Sequence, residues 1–252
     1  MIGRKTVLGL VVLCALAVSA FAAASASASE AGGAWKCKAV KGTGHWNDDH
    51  CTNTNAGNTG NWDTTWVPGS FNIVGSNAKT TEATTGKATS KLLGSLSGVV
   101  TELQCTEVSG AGELTNSEVG ETKSVTGTGV ITYESCSVTK PSGKGCVVKG
   151  GTVVTKTLKG TTVGVAAERL KFEPNSGTTF AEIEIEKCTI GALNNTFPVT
   201  GSLVAETTGA TTTSTHAGIT AQGTLKFGGV KAGLEGALTI EDTEENGLVL
   251  MP

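Results

Sequence analysis

The chain has 252 residues, with 22 acidic against 19 basic side chains and a formal charge of −3. That balance lacks the clustered Lys and Arg on which nucleic-acid binding rests. Charged residues make up only 16% and aromatics 4%, whereas glycine reaches 35 and threonine about 40; β-branched Thr suits strands and Gly suits turns, so the composition predicts an all-β protein.

At the N-terminus, Arg4 and Lys5 precede an apolar run that dissolves into Ala and Ser in Ala-x-Ala spacing. This is the pattern of a secretory signal peptide over residues 1–28, with cleavage after Ala24, Ala26 or Ala28. An uncleaved membrane anchor would call for a cationic stop after the run, and none follows. Cys14 sits behind the bulky Leu13 with the apolar run continuing past it, which argues against lipid attachment. Loss of the leader leaves 17 of the 19 bases and no membrane span, and it predicts a secreted or cell-surface protein.

Export makes disulfides the expected state of the remaining cysteines, Cys37, Cys51, Cys105, Cys136, Cys146 and Cys188. Proximity along the chain favours Cys37–Cys51 and Cys136–Cys146, leaving Cys105–Cys188 as a long-range staple.

Residues 29–70 stand apart in composition. They hold all four tryptophans (Trp35, Trp46, Trp62, Trp66) and one of the cysteine pairs, and end at the turn signal Val67-Pro68-Gly69. The expectation is a small Cys/Trp module stapled by Cys37–Cys51, since a segment without a large core needs such a staple. Within it, Gly44-His45-Trp46-Asn47-Asp48 is echoed by Gly60-Asn61-Trp62-Asp63.

Residues 71–252 read as an all-β domain. In chain order the strand candidates are GVVTELQCTEV, GTGVITYESC, GCVVKGGTVVTKTL, ERLKFEP, FAEIEIEKC, GSLVAET, GTLKFGG and GALTIED, separated by Gly- or Pro-containing breaks. FAEIEIEKC is the clearest, with Ile183 and Ile185 on one face and Glu182, Glu184 and Glu186 on the other. No window holds a 3.6-residue period beyond two turns, so helices should be short and few. About ten strands fit an antiparallel β-sandwich or barrel. A parallel solenoid would show a fixed repeat of about 20 to 30 residues, and neither this nor the regular Thr-x-Thr spacing of an ice-binding array is present.

The pattern WKCKAVKGTGHWNDDHC followed by GNWDTTW resembles a short Cys/aromatic element of exported, Gly/Thr-rich bacterial β-proteins. LQCTEVSGAGELTN and LKFEPNSGTTFAEIEIEKC are similar to the β-rich body of such proteins. The resemblance covers about half the chain; it implies export and a β fold, and brings no activity with it.

Chemistry-bearing motifs are few. His45 and His50 with Asp48 or Asp49 offer nitrogen and oxygen ligands of the kind zinc accepts. Two histidines five apart on an extended segment face opposite ways, so only Asp48 and His50 remain as weak metal candidates, and no metal or other cofactor is expected. Asp49 lacks the alternating acids of a calcium loop. Trp46 with Asn47 and Asp48, and Trp62 with Asp63, carry the vocabulary of a glycan-binding surface, an aromatic platform beside polar groups. Residues 94–98 read GSLSG, with Leu96 where a nucleophile would stand. His216, in a run of Thr and Ser, has no acidic partner in the sequence. Successive members of Glu182, Glu184 and Glu186 lie about 6.6 Å apart, within reach of inverting glycosidase spacing, yet they stand side by side on one outer face rather than flanking a substrate. Gly143-Lys144-Gly145 lacks the rest of a phosphate loop, and Asn194-Asn195-Thr196 matches a glycosylation sequon. Lys140, Lys144, Lys149, Lys156 and Lys159 make a locally basic stretch that suits an anionic wall polymer. The function expected is structural or adhesive, through contact with wall polymer, glycan or another surface protein; the alternative is a secreted hydrolase acting on polysaccharide.

Overall fold

The computed structural model describes residues 32–49, 51, 53–77, 89–120, 122–163, 169–208, 211–214, 223–244 and 247–251. Residues 1–28, where a signal peptide is expected, and His50 and His216 lie outside the described residues. The strands are, in order, β1 (Gly33–Gly44), β2 (Gly60–Trp66), β3 (Gly69–Asn77), β4 (Ser90–Leu96), β5 (Val99–Val119) and β6 (Thr122–Lys140). Then come β7 (Val147–Val148), β8 (Val153–Val154), β9 (Leu158–Val163), β10 (Arg169–Pro174), β11 (Thr179–Glu186) and β12 (Asn195–Thr200). The last are β13 (Leu203–Thr208), β14 (Thr211–Ser214), β15 (Lys226–Phe227), β16 (Val230–Lys231), β17 (Gly233–Asp242) and β18 (Leu248–Met251). Helical structure among the described residues is limited to single 3-10 turns at Lys149–Gly151 and Gly191–Leu193, and no helix there is long and apolar enough to cross a membrane.

The fold is all-β and antiparallel, and it combines a barrel with a sandwich. Successive pairings β3–β5, β5–β6, β6–β9, β9–β10, β10–β13, β13–β14, β14–β17 and β17–β3 return to their starting strand. Eight strands therefore close a ring, and closure removes the open edges that a sheet of this size would otherwise present.

The long β5 and β6 run on past the barrel. The first part of β5 pairs with β4 and the last part of β6 with β8. This extension packs on a second sheet of order β16-β15-β12-β11-β7. Between them lies the main apolar core, with Leu96, Leu103, Ile185, Leu193, Leu225 and Phe227 at its centre, each at most 2% exposed. FAEIEIEKC behaves as its period predicts: Phe180, Ile183 and Ile185 are buried, whereas Glu182 and Glu184 face solvent.

The N-terminal segment forms a third sheet of order β18-β1-β2. Its outer strand comes from the far end of the chain, with Gly33 opposite Met251 and Lys36 opposite Leu248. One face carries Trp35, Cys37 and Val249; on the other, Leu248 reaches the barrel interior.

The structure holds three disulfides, Cys37–Cys51, Cys105–Cys136 and Cys146–Cys188. The first matches the sequence expectation. The other two correct it, because proximity along the chain is not proximity across a sheet. Cys105 and Cys136 are direct register partners in the β5–β6 hairpin. Cys146 is carried beside β7, whose pairing of Val148 with Ile185 and Val147 with Glu186 brings it to Cys188 at the end of β11.

Candidate functional site

The stapled tip is built around the sequence echo. Its two copies are neighbours in space: Gly44 pairs with Gly60, and Trp46 bridges to Trp62, with backbone hydrogen bonds in both directions of 3.0 and 3.2 Å. The glycines are needed for this approach, because a Cβ at Gly44 would run into the Trp62 carbonyl and one at Gly60 into the Trp46 carbonyl. Trp46 and Trp62 are half-buried, packed against Cys37, Cys51 and Val249; both cysteines are completely enclosed.

Within GHWNDDHC, His45, Asn47 and Asp48 contribute to the hydrogen-bonded frame of the loop. Asp48 Oδ2 accepts from the Asn53 backbone N–H at 2.6 Å. Asn47 donates to the Thr54 carbonyl at 3.2 Å and accepts from Asn55 Nδ2 at 2.8 Å. His45 Nδ1 lies 3.2 Å from both carboxylate oxygens of Asp63, and Asp63 Oδ1 also accepts from the Thr64 N–H at 2.8 Å. Of the sequence candidates, the structure thus brings Trp46 and Trp62 together, pairs Asp63 with His45, and sets Asn47 and Asp48 on the loop side of the tip. Among the described residues no three His, Cys, Asp or Glu side chains gather as a metal-ligand set.

The other two tryptophans do different work. Trp35 and Trp66 are cross-strand partners with ring centroids 5.4 Å apart, and Lys123 Nζ stands 4.4 Å from the first ring and 5.1 Å from the second. This cation–π cap fastens the small sheet to β6. The sequence reading missed Lys123, since nothing local in GETKSV marks it as a partner of Trp35 and Trp66, both distant in the chain.

Elsewhere the charged motifs resolve into ion pairs. Lys149 Nζ lies 2.9 Å from Glu184, Lys156 Nζ 2.9 Å from Glu182 and Lys140 Nζ 2.8 Å from Glu102. Three of the five lysines of the basic stretch are therefore matched to carboxylates, and the outward glutamates of β11 form a mixed-charge surface with two of them. The Glu102 carboxyl is held below its ordinary range by hydrogen bonds from Lys140 and from Thr139 Oγ1 at 2.6 Å. Burial lifts the phenol of Tyr133 to about 12.

Compared with protein-family models, with curated proteins and with solved structures, the chain matches none of them.

Proposed function

We propose that this protein is exported and acts by contact rather than catalysis, with the stapled N-terminal tip as its contacting element and a cell-wall or other polysaccharide as its partner. The observation that carries the reading is the convergence of the two echo copies, which seats half-buried Trp46 and Trp62 together on the Cys37–Cys51 bridge and pairs their sequence neighbours His45 and Asp63. An indole face that keeps part of its surface open stacks on the apolar face of a sugar ring, and a few fixed polar groups take the hydroxyls. The His45 side chain is 58% exposed and that of Asp63 34%, so both can be reached. Three disulfides suit an extracellular setting.

The test is retention of the purified mature protein on insoluble polysaccharides and bacterial cell wall. His45→Ala and Asp63→Asn change the polar contacts and leave the rings seated on the disulfide; each should weaken retention several-fold, and Trp62→Ala should abolish it. Retention unchanged in all three variants, with the Cys37–Cys51 bridge intact in each, would remove the tip from consideration.

A further inference from the structure

We propose that the barrel lumen is a binding site for a small, neutral, apolar molecule, specifically a short alkyl chain. The interior holds a cavity of about 80 Å³ walled by β3, β5, β6, β9, β10 and β17, with Leu248 of β18 at its boundary. An eight-stranded barrel is at the width where side chains either fill the interior or leave room for one small ligand. Glycine decides between these outcomes here. Inward-facing positions pair glycine with glycine across strands at Gly75–Gly110, Gly112–Gly129 and Gly127–Gly160; the Leu238 side chain covers Gly75 and that of Leu114 covers Gly127.

Glycine weakens a strand interior, and its presence there marks close approach of another backbone or of a ligand. Two of these positions are explained by the backbone: a Cβ at Gly112 would strike the Thr128 carbonyl, and one at Gly129 would lie 2.8 Å from the Ala111 carbonyl. Two others are not. A Cβ at Gly160 meets nothing closer than Phe172 at 3.9 Å, and one at Gly110 nothing closer than 3.6 Å. At both a side chain would fit and would fill the lumen, yet the space is left open.

The chemistry of the walls fixes the ligand class. Leu158, Leu170, Phe172, Leu238 and Ile240 line the cavity with these glycines, and among the described residues no charged side chain lines it. The polar groups at the end of the barrel are engaged elsewhere: Asp242 pairs with Lys36, and Asn116 bonds the backbone of Ala34 and Val67. A charged or hydroxyl-rich ligand would find no partner, whereas apolar cavities of this kind stay dry and take up hydrocarbon. The volume is roughly half that of an engineered cavity that accepts benzene, which favours a narrow chain over a ring.

The test uses the mature chain with its disulfides intact, followed by amide NMR with n-pentane and, separately, xenon as probes. Pentane should produce saturable shifts at Gly127, Gly129 and Gly160, and raise the thermal midpoint. Gly160→Leu should weaken pentane binding at least tenfold with the fold intact. If that variant fails to fold, Gly110→Ala, which adds a single methyl at an open position, should weaken it at least threefold. Uptake of xenon without pentane, absence of saturable shifts in the parent protein, or unchanged pentane affinity in a folded lumen variant would each overturn the proposal.

Discussion

The side-chain amide of Asn116 grips the backbone of Ala34 from both sides: its Oδ1 accepts from the Ala34 N–H at 3.0 Å and its Nδ2 donates to the Ala34 carbonyl at 2.7 Å. The same Nδ2 donates to the Val67 carbonyl at 2.6 Å. One barrel residue on β5 thus mimics a strand for the small sheet, tying both ends of the β1–β2 hairpin to the barrel. Asn116 is only 4% exposed and Ala34 fully buried. Asn116→Ala removes all three bonds at once and should destabilise the protein by about 2–3 kcal/mol, as buried backbone groups lose their partners. Chemical denaturation with an unchanged m-value would measure it; a loss under 0.5 kcal/mol would show that water replaces the amide without penalty.

A second tie lies beside it. Lys36 of β1 pairs with Asp242 of β17, the side chains being 14% and 2% exposed. Taking the ammonium away from so enclosed a carboxylate is costly, so Lys36→Met should lose about 3 kcal/mol. Adding Asp242→Asn to that variant should recover part of the loss, because a neutral amide tolerates burial better than a charge. A double-mutant cycle in urea measures the coupling, and strictly additive losses would show the pair to be independent.

Tyr133 is the single tyrosine of the chain, which makes its ionisation directly visible. Burial raises its phenol from 10 to about 12. The folded state therefore favours the neutral form, and this contribution to stability is complete below pH 10 and lost as the pH rises towards 12. Tyrosinate absorbance should titrate near 12 in the folded protein and near 10 in urea. A folded-state midpoint at the ordinary value would place the phenol in water.

At the acid limb the sign reverses. Lys140 and Thr139 lower the Glu102 pKa from 4.5, so the ionised carboxylate stabilises the fold above that value, and its contribution fades as the pH falls through the depressed one. Glu102→Gln should flatten the acid limb of the stability profile and leave the alkaline limb in place. Equal slopes for variant and parent at low pH would assign acid sensitivity to other carboxylates.

Local pattern carried much of this fold. The alternation in FAEIEIEKC names the buried face of β11, and Cys37 and Cys51 lie close enough in the chain to pair as read. What stayed hidden depends on neighbours distant in sequence. Gly110 and Gly112 fall in a gap between two short strand candidates and Gly127 opens the second of them, yet all lie inside β5 and β6, 21 and 19 residues long. The register of that hairpin, which places Cys105 opposite Cys136, cannot be seen without knowing that both strands run through. Closure of the ring and the glycine-walled lumen follow from the same register. At the tip, the echo of Gly44-His45-Trp46 in Gly60-Asn61-Trp62 was visible as a repeat, but not as two strands that face one another.

The pairing of β1 with β18 joins the first described strand to the last, and Val249 packs against the Cys37–Cys51 bridge. Such a contact closes one of the longest loops the chain can make, and contacts of that span form late. A ribosome delivers residues 33–44 long before 248–251, so the stapled tip must wait with one side of its sheet unpaired until the barrel's worth of chain between them has emerged. Completion of the stapled tip therefore requires residues 248–251, and a chain that stops short of β18 lacks the Val249 contact on its disulfide.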